Sequence, residues 1–432
     1  EEGLAPAEAR RAYVEALDED DAAGRALAPE ARAQAEEALG ALLRAEGDLE
    51  EAARRLDAAV ADTAADRPID RARRLHRRAQ VDEPLGEVAG ARRRIGEALA
   101  LLDGQDAPEA LLEALDLRRY AAWLRYRDGD FDGAVTELEA VLAAVPADAR
   151  SLRALVLTAL GVVAFGRGDY AAAEQSFRQT LALAEGIGDL RRVSSAYNNL
   201  GIVAAKQGDA RGAVGWYERA VRLHARRGDR GALAQTYNNL GTLYGEMGEL
   251  SRAAQYLRES IRIRARSGHS GLALGYANLG EVLLRQGRAD EARGYLEQAI
   301  ALVAEGRGPG YLLPDAWRML AELHLVTDAF DEAERAAHEA LRRAEEAGDR
   351  PRAAAALRVL GEALDGQGRP DEAGARLDAA VDLLEALDQP IELARTYAAR
   401  GRHLARRGHA DAAHWAAEAE ALFAALGVSG RH

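Results

Sequence analysis

Small and large apolar residues return along this chain at fixed places in a unit of about forty residues. With residue 194 as the first place, a small residue falls at the eighth. Glycine and then aspartate or a relative occupy the fifteenth and sixteenth. Alanine stands at the twentieth place, a large apolar residue at the twenty-fourth and a small one at the twenty-seventh. The same template fits from starting points 33, 72, 115, 154, 194, 234, 273, 314, 354 and 394, which makes ten units in steps of 39 to 43. The glycine closes one helix, because it adopts a left-handed cap cheaply, and the aspartate after it caps the next. A second break of this kind joins units at Gly188-Asp189, Gly228-Asp229 and Gly348-Asp349. Each unit therefore reads as two antiparallel helices. Small residues at the eighth and twentieth places let them approach, and neighbouring units cover one another's apolar faces.

The template is sharpest at Tyr197-Asn198-Asn199-Leu200-Gly201, Tyr237-Asn238-Asn239-Leu240-Gly241 and Tyr276-Ala277-Asn278-Leu279-Gly280. It loosens in the second, third and eighth units, where Ala79, Ala122 and Ala321 replace the eighth-place glycine. The tenth unit departs at its end, with Ala417 at the large-apolar place and Glu420 at the last small one. This pattern resembles the tetratricopeptide repeat (TPR), in the longer form of kinesin light chains and many bacterial signalling proteins. The resemblance implies an all-α fold, an α-α superhelix (solenoid) of about ten TPR units over 33–427, followed by a tail at 428–432.

Residues 1–32 read as the second helix of a truncated preceding repeat plus an acidic turn. Pro6, Glu8, Ala9, Tyr13, Ala16 and Leu17 match Pro370, Glu372, Ala373, Leu377, Ala380 and Val381, and Asp18-Glu19-Asp20-Asp21 follows. The expectation is that the chain is the C-terminal part of a larger bacterial signalling protein with an ATPase, kinase, protease or transcription-regulator module upstream. At the far end, Trp415, Leu422 and Phe423 either lack a cover, and then offer a surface for a partner or for oligomerisation, or pack inward.

Composition narrows this picture. Apolar residues reach 48% but aromatics only 5%, which suits close-packed Ala-rich helices. A net charge of −14 argues against a nucleic-acid partner, which calls for a basic stripe. With no cysteine, disulfides and thiolate metal sites are excluded. No run is apolar and long enough for a membrane span, and a cytoplasmic location is expected. No constellation for catalysis, metal or cofactor stands out. His403, His409 and His414 lack a helical metal-pair spacing, and Gly306-Arg307-Gly308-Pro309-Gly310 lacks the Lys-Ser/Thr of a phosphate loop and reads as a hinge.

All five asparagines and the single lysine, Lys206, fall in the three central units. In TPR arrays the first helix of each unit lines the concave face. By helical spacing, Asn198, Asn199, Lys206, Asn238, Asn239, Asn278, Glu281 and Arg285 then point into the groove. A side-chain amide offers both a donor and an acceptor, which suits the backbone of an extended peptide. The sixth-place asparagines resemble the ladder in the TPR superhelix of O-linked N-acetylglucosamine transferase. The alternative is that they bond neighbouring helices and set curvature. A second candidate surface is Arg119, Tyr120, Trp123, Tyr126 and Arg127, a hot-spot composition. Arg318, Glu322, Arg358, Glu362, Arg395 and Arg402 make a charged wall further on. The chaperone-tail clamp of some TPR domains needs a fifth-place lysine, and no unit has one. The expected role is a non-catalytic scaffold or sensor holding a protein segment or peptide, with the upstream domain as a further partner. A structural or oligomerisation arm without a ligand is the alternative.

Overall fold

Two helix breaks in every unit decide the architecture. The structure, a computed structural model, describes residues 6–267, 271–387 and 389–426, so the expected tail lies outside the described residues. Among these are 21 α-helices, one 3-10 turn and no strand. The chain divides into two compact units, Glu1–Asp229 and Arg230–His432.

Unit 1 holds α1 (Pro6–Ala22), α2 (Pro29–Glu46), α3 (Leu49–Ala61), α4 (Pro68–Asp82), α5 (Val88–Leu102) and α6 (Pro108–Arg127). It continues with α7 (Phe131–Ala144), α8 (Arg150–Gly166), α9 (Tyr170–Ile187), α10 (Leu190–Lys206) and α11 (Ala210–Arg227). Unit 2 holds α12 (Arg230–Glu246), α13 (Leu250–Ser267), α14 (Leu272–Arg285), α15 (Ala289–Ala304) and α16 (Leu313–Val326). Helices α17 (Phe330–Glu346), α18 (Arg350–Gly366), α19 (Pro370–Glu385), α20 (Pro390–Arg406) and α21 (Ala412–Ala425) complete it. After α1, each even-numbered helix packs along the odd-numbered helix that follows it, giving five hairpins in each unit. The first helices also touch one another across hairpins: α2, α4, α6 and α8 in unit 1, and α12, α14, α16, α18 and α20 in unit 2. Stacking that brings one layer closer together than the other bends a solenoid, with the closer layer inside.

The breaks have the expected chemistry. Asp130, Asp169, Asp189, Asp209 and Asp349 each accept a hydrogen bond from the backbone N–H three residues on. The fifteenth place is left-handed in all ten repeats: nine are glycines with φ from 66° to 89°, and the eighth puts Asp328 there at 55°. Aspartate is among the few residues that visit this region, because its short side chain bonds locally.

The core rests on one pairing. A Cβ on Gly161, Gly201 or Gly241 would stand 2.6, 2.6 or 2.5 Å from Phe177, Tyr217 or Leu257, so the eighth-place glycine makes room for the twenty-fourth-place residue of the same hairpin. Where the eighth place is Ala321, the twenty-fourth is Ala337, and both are fully buried.

Two details concern the ends. Asp18–Asp21, expected as a turn, lies in the last turns of α1, where Asp20 accepts from Leu27 N (2.6 Å) and Arg32 Nη1 (2.5 Å) and Arg32 also pairs with Asp21. Phe423 is buried with Ala394 and Ala419, and Trp415 lies edge-on to Tyr397 with Arg400 over its face at 4.4 Å. Inward packing is thus the outcome at this end.

Candidate functional site

The inner layer of unit 2 carries Arg318 and Glu322 on α16 and Arg358 and Glu362 on α18. The four-residue spacing sets each pair one turn apart on one face. Arg358 is the hub. Its guanidinium donates from Nε to Glu392 Oε1 (2.6 Å), from Nη1 to Glu362 Oε1 (2.9 Å) and from Nη2 to Glu322 Oε1 (2.7 Å), which joins α16, α18 and α20. Arg318 Nη1 donates to the same Glu322 oxygen at 2.8 Å. Burial alone would raise the Glu322 pKa, but Arg318 and Arg358 outweigh it and lower the carboxyl to about 2. Burial opposes the charge on Arg358 as well, and Glu392, Glu322 and Glu362 overcome it, holding the guanidinium charged.

This network walls a cavity of about 530 Å³. Leu284, Met319, Leu325, Val326, Ala398 and Phe423 supply its apolar lining, and Glu281, Arg285, Arg395 and Arg402 its polar edge. Arg402, 55% exposed, donates to Glu362 Oε2 (2.8 Å), and Arg395, 39% exposed, lies 3.4 Å from Glu392. Arg285 donates to the backbone carbonyl of Gly245 at 2.9 Å. A guanidinium has five N–H donors, so these three retain capacity toward the cavity. Such a surface accepts carbonyl or carboxylate oxygens beside an apolar side chain. A neighbouring cavity of about 420 Å³ holds Asp328, Asp365 and Arg406. There Asp365 bonds His403 Nδ1 (2.9 Å) and Arg406 Nη1 (2.5 Å). Among the described residues no group of His, Cys, Asp and Glu is arranged to hold a metal ion. Among them, too, no helix is long and apolar enough to cross a membrane.

The candidate residues of the sequence divide by location. In unit 2, Asn278 Nδ2 donates to Asn238 Oδ1 (3.1 Å) and reaches Thr242 Oγ1 (3.5 Å), and Asn238 is only 5% exposed. These amides thus make a seam between α12 and α14. Asn239 accepts from Gln235 Nε2 at 3.1 Å on its own helix. Glu281 and Arg285 line the cavity. In unit 1, Asn198 and Asn199 are half-buried on α10 and Lys206 is exposed at its end.

The aromatic set on α6 is largely engaged internally. Tyr120 is 5% exposed and donates its hydroxyl to Ala79 O at 3.2 Å. Trp123 Nε1 donates to Glu83 (3.0 Å), and Arg127 pairs with the same carboxylate at 2.8 Å. Arg119 pairs with Asp116 at 2.6 Å, and Tyr126 packs edge-on to Phe131. Sequence reasoning missed most of the apolar lining, Leu284, Met319, Leu325 and Val326, and named Phe423 only as an array-end residue. The repeated Arg–Glu pair at the fifth and ninth places of the eighth and ninth units is the signal that marks the spot.

The chain matches the family described as the MalT-like TPR region over residues 120–317 and the tetratricopeptide repeat over 312–386. No curated protein matches it. Among solved structures it is similar to a Signal Transduction ATPase with Numerous Domains (STAND) protein with a tetratricopeptide repeat sensor from Pyrococcus horikoshii. That likeness has a TM-score of 0.57 at 17% identity and covers 81% of this chain but 52% of that one, so this chain spans about half its length. It is similar also to aspartyl phosphate phosphatase F from Bacillus subtilis (TM-score 0.57, 14% identity, 83% of this chain and 94% of that one). The apo form of RapI is a third likeness (TM-score 0.55, 12% identity, 81% and 97%). At these identities the likeness concerns the fold alone. Paired helices, left-handed fifteenth places and two adjoining family matches agree: the chain belongs to the tetratricopeptide repeat proteins.

Proposed function

We propose that this TPR region is a non-catalytic sensor or scaffold that binds a protein segment or peptide on the inner face of its stacked hairpins. One observation carries the reading: in unit 2, four successive first helices, α14, α16, α18 and α20, contribute side chains to a single cavity of about 530 Å³. That length of wall suits an extended segment, and the mixture of guanidinium donors and apolar lining suits a peptide with an apolar side chain. Glu281 and Arg285 line this cavity, Asn239 on α12 is a proposed further contact, and the Asn238–Asn278 bond ties α12 to α14. In unit 1, Asn198, Asn199 and Lys206 are proposed contacts on α10, and Trp123, Tyr126 and Arg127 on α6, each within that unit.

The STAND protein is described as having a TPR sensor. A comparable place for this chain, beside an effector domain of a larger signalling protein, is part of the proposal. Panning a random displayed-peptide library on the whole chain tests it. Selected peptides should bind the wild type and lose about tenfold or more in affinity when Arg395→Glu and Arg402→Glu are combined. Failure to enrich any peptide, or binding untouched by that pair, contradicts the reading.

A further inference from the structure

Helix α11 carries five arginines against one glutamate, in a chain whose acids outnumber its lysines and arginines 71 to 57. Arg219, Arg222 and Arg226 follow at three- and four-residue spacing, which aligns them on one face, and all three are exposed. Among the described residues neither Arg219 nor Arg226 has a carboxylate within 4 Å, and Arg222 reaches only Glu218, at 3.8 Å. Arg358, by contrast, is held by three carboxylates.

Aromatic and apolar side chains surround these charges. Arg219 sits over Trp216, 4.5 Å from the ring centre, and Trp216 stacks on Tyr197 with centroids 5.8 Å apart. Leu190, Val193 and Leu223 form an apolar base between α10 and α11, bordering a cavity of about 460 Å³. Leu190 is 51% exposed. One carboxylate, Glu185, stands at the edge and accepts from the Tyr197 hydroxyl at 3.3 Å.

We infer that this groove on unit 1 is a second interaction surface, which takes an acidic protein segment carrying a large apolar side chain. Free guanidinium groups beside Trp and Tyr have the composition of binding hot spots. Carboxylates of the segment would gain charge-assisted bonds from Arg222 and Arg226. Stacking on Trp216 already limits the motion of Arg219, so less entropy is lost when it is engaged. The exposed Leu190 and its neighbours receive the apolar side chain. Nucleic acid fits less well. The three arginines span only about 10 Å of helix, too short to track a phosphate backbone, and Glu185 and Glu218 flank them. This surface lies outside the unit 2 cavity and does not depend on the reading given for it.

Fluorescence anisotropy on the full chain at low ionic strength tests the assignment. The probe is a labelled peptide of alternating glutamate and aspartate around a central leucine pair. Its counterpart has glutamine and asparagine in place of the acids, and a single-stranded oligonucleotide of matched charge is the third arm. The acidic peptide should bind, and Arg219→Glu with Arg226→Glu should weaken it about tenfold or more. Leu190→Ser should weaken it about threefold, while Arg93→Glu, exposed on α5 and outside both surfaces, should leave it unchanged. Circular dichroism confirms folding of these surface variants. The proposal is overturned if the acidic peptide does not bind, if the amide counterpart or the oligonucleotide binds as tightly, or if the double charge reversal has no effect. A wild type that self-associates in light scattering and becomes monomeric with that reversal would assign the groove to a second copy instead.

Discussion

Buried arginines organise one place in each unit, and the two places end differently. Between α2 and α4 of unit 1, Arg74 bonds Glu30 (2.6 Å), Glu37 (3.0 Å) and Thr63 (2.6 Å). Nearby, Arg78 and Arg94 share Asp82, whose side chain is fully enclosed. In unit 2, Arg358 is surrounded by three glutamates in the same manner, yet the outermost arginines, Arg395 and Arg402, keep N–H groups in solvent beside a cavity. Both networks end in exposed cations, Arg67 and Arg77 in unit 1 and Arg395 and Arg402 in unit 2. What sets unit 2 apart is that its outer arginines line a cavity of about 530 Å³ together with apolar side chains.

The largest predicted effect tests whether the open network still needs its hub. Arg358→Ala strands three carboxylates and should cost about 3–5 kcal/mol in denaturant unfolding. Arg402→Ala, at the exposed end, should cost less than about 1 kcal/mol. Equal costs would erase the distinction between hub and rim. Next in size is a packing control: Gly241→Ala drives a Cβ to 2.5 Å from Leu257 and should destabilise by about 1–3 kcal/mol. Adding Leu257→Ala should relieve that clash, since the Ala321–Ala337 hairpin already uses two alanines.

Acid titration sharpens the contrast further. The Glu322 pKa, lowered to about 2, adds stability that is present above the ordinary carboxylate range and is lost as pH falls toward about 2. For Asp82, burial raises the pKa despite Arg78 and Arg94, so its contribution is present below the ordinary range and declines as pH rises through the raised value. Acid unfolding followed by circular dichroism should flatten in Glu322→Gln and steepen in Asp82→Asn, because Asp82 partly offsets the acid loss. The smallest effect belongs to the amide seam. Asn278→Ala should lower stability by about 1 kcal/mol in thermal or denaturant unfolding, whereas an amide devoted only to ligand would leave stability unchanged.

Much of the fold was legible because its determinants are local. Gly47, Gly168 and Gly208 announce left-handed caps, and Ala52, Ala173 and Ala213 mark the buried line, without reference to any distant contact. The site was harder to read. Asn238 and Asn278 stand forty residues apart, and whether they face a ligand or one another depends on how α12 and α14 stack. Tyr120 and Trp123 have the types of a binding surface, but Ala79 and Glu83 on the preceding repeat take up their polar atoms. The charged wall was visible in Arg318, Glu322, Arg358 and Glu362. Its cavity was not, because Met319 and Phe423 meet it from helices far apart in sequence.

Hydrogen–deuterium exchange on the whole chain, with and without a library-selected peptide, tests the central claim most directly. The account predicts slowed exchange across α16, α18 and α20, and loss of that slowing in the Arg395→Glu, Arg402→Glu variant. Protection confined to other helices, or exchange unchanged by a peptide that binds, would contradict it.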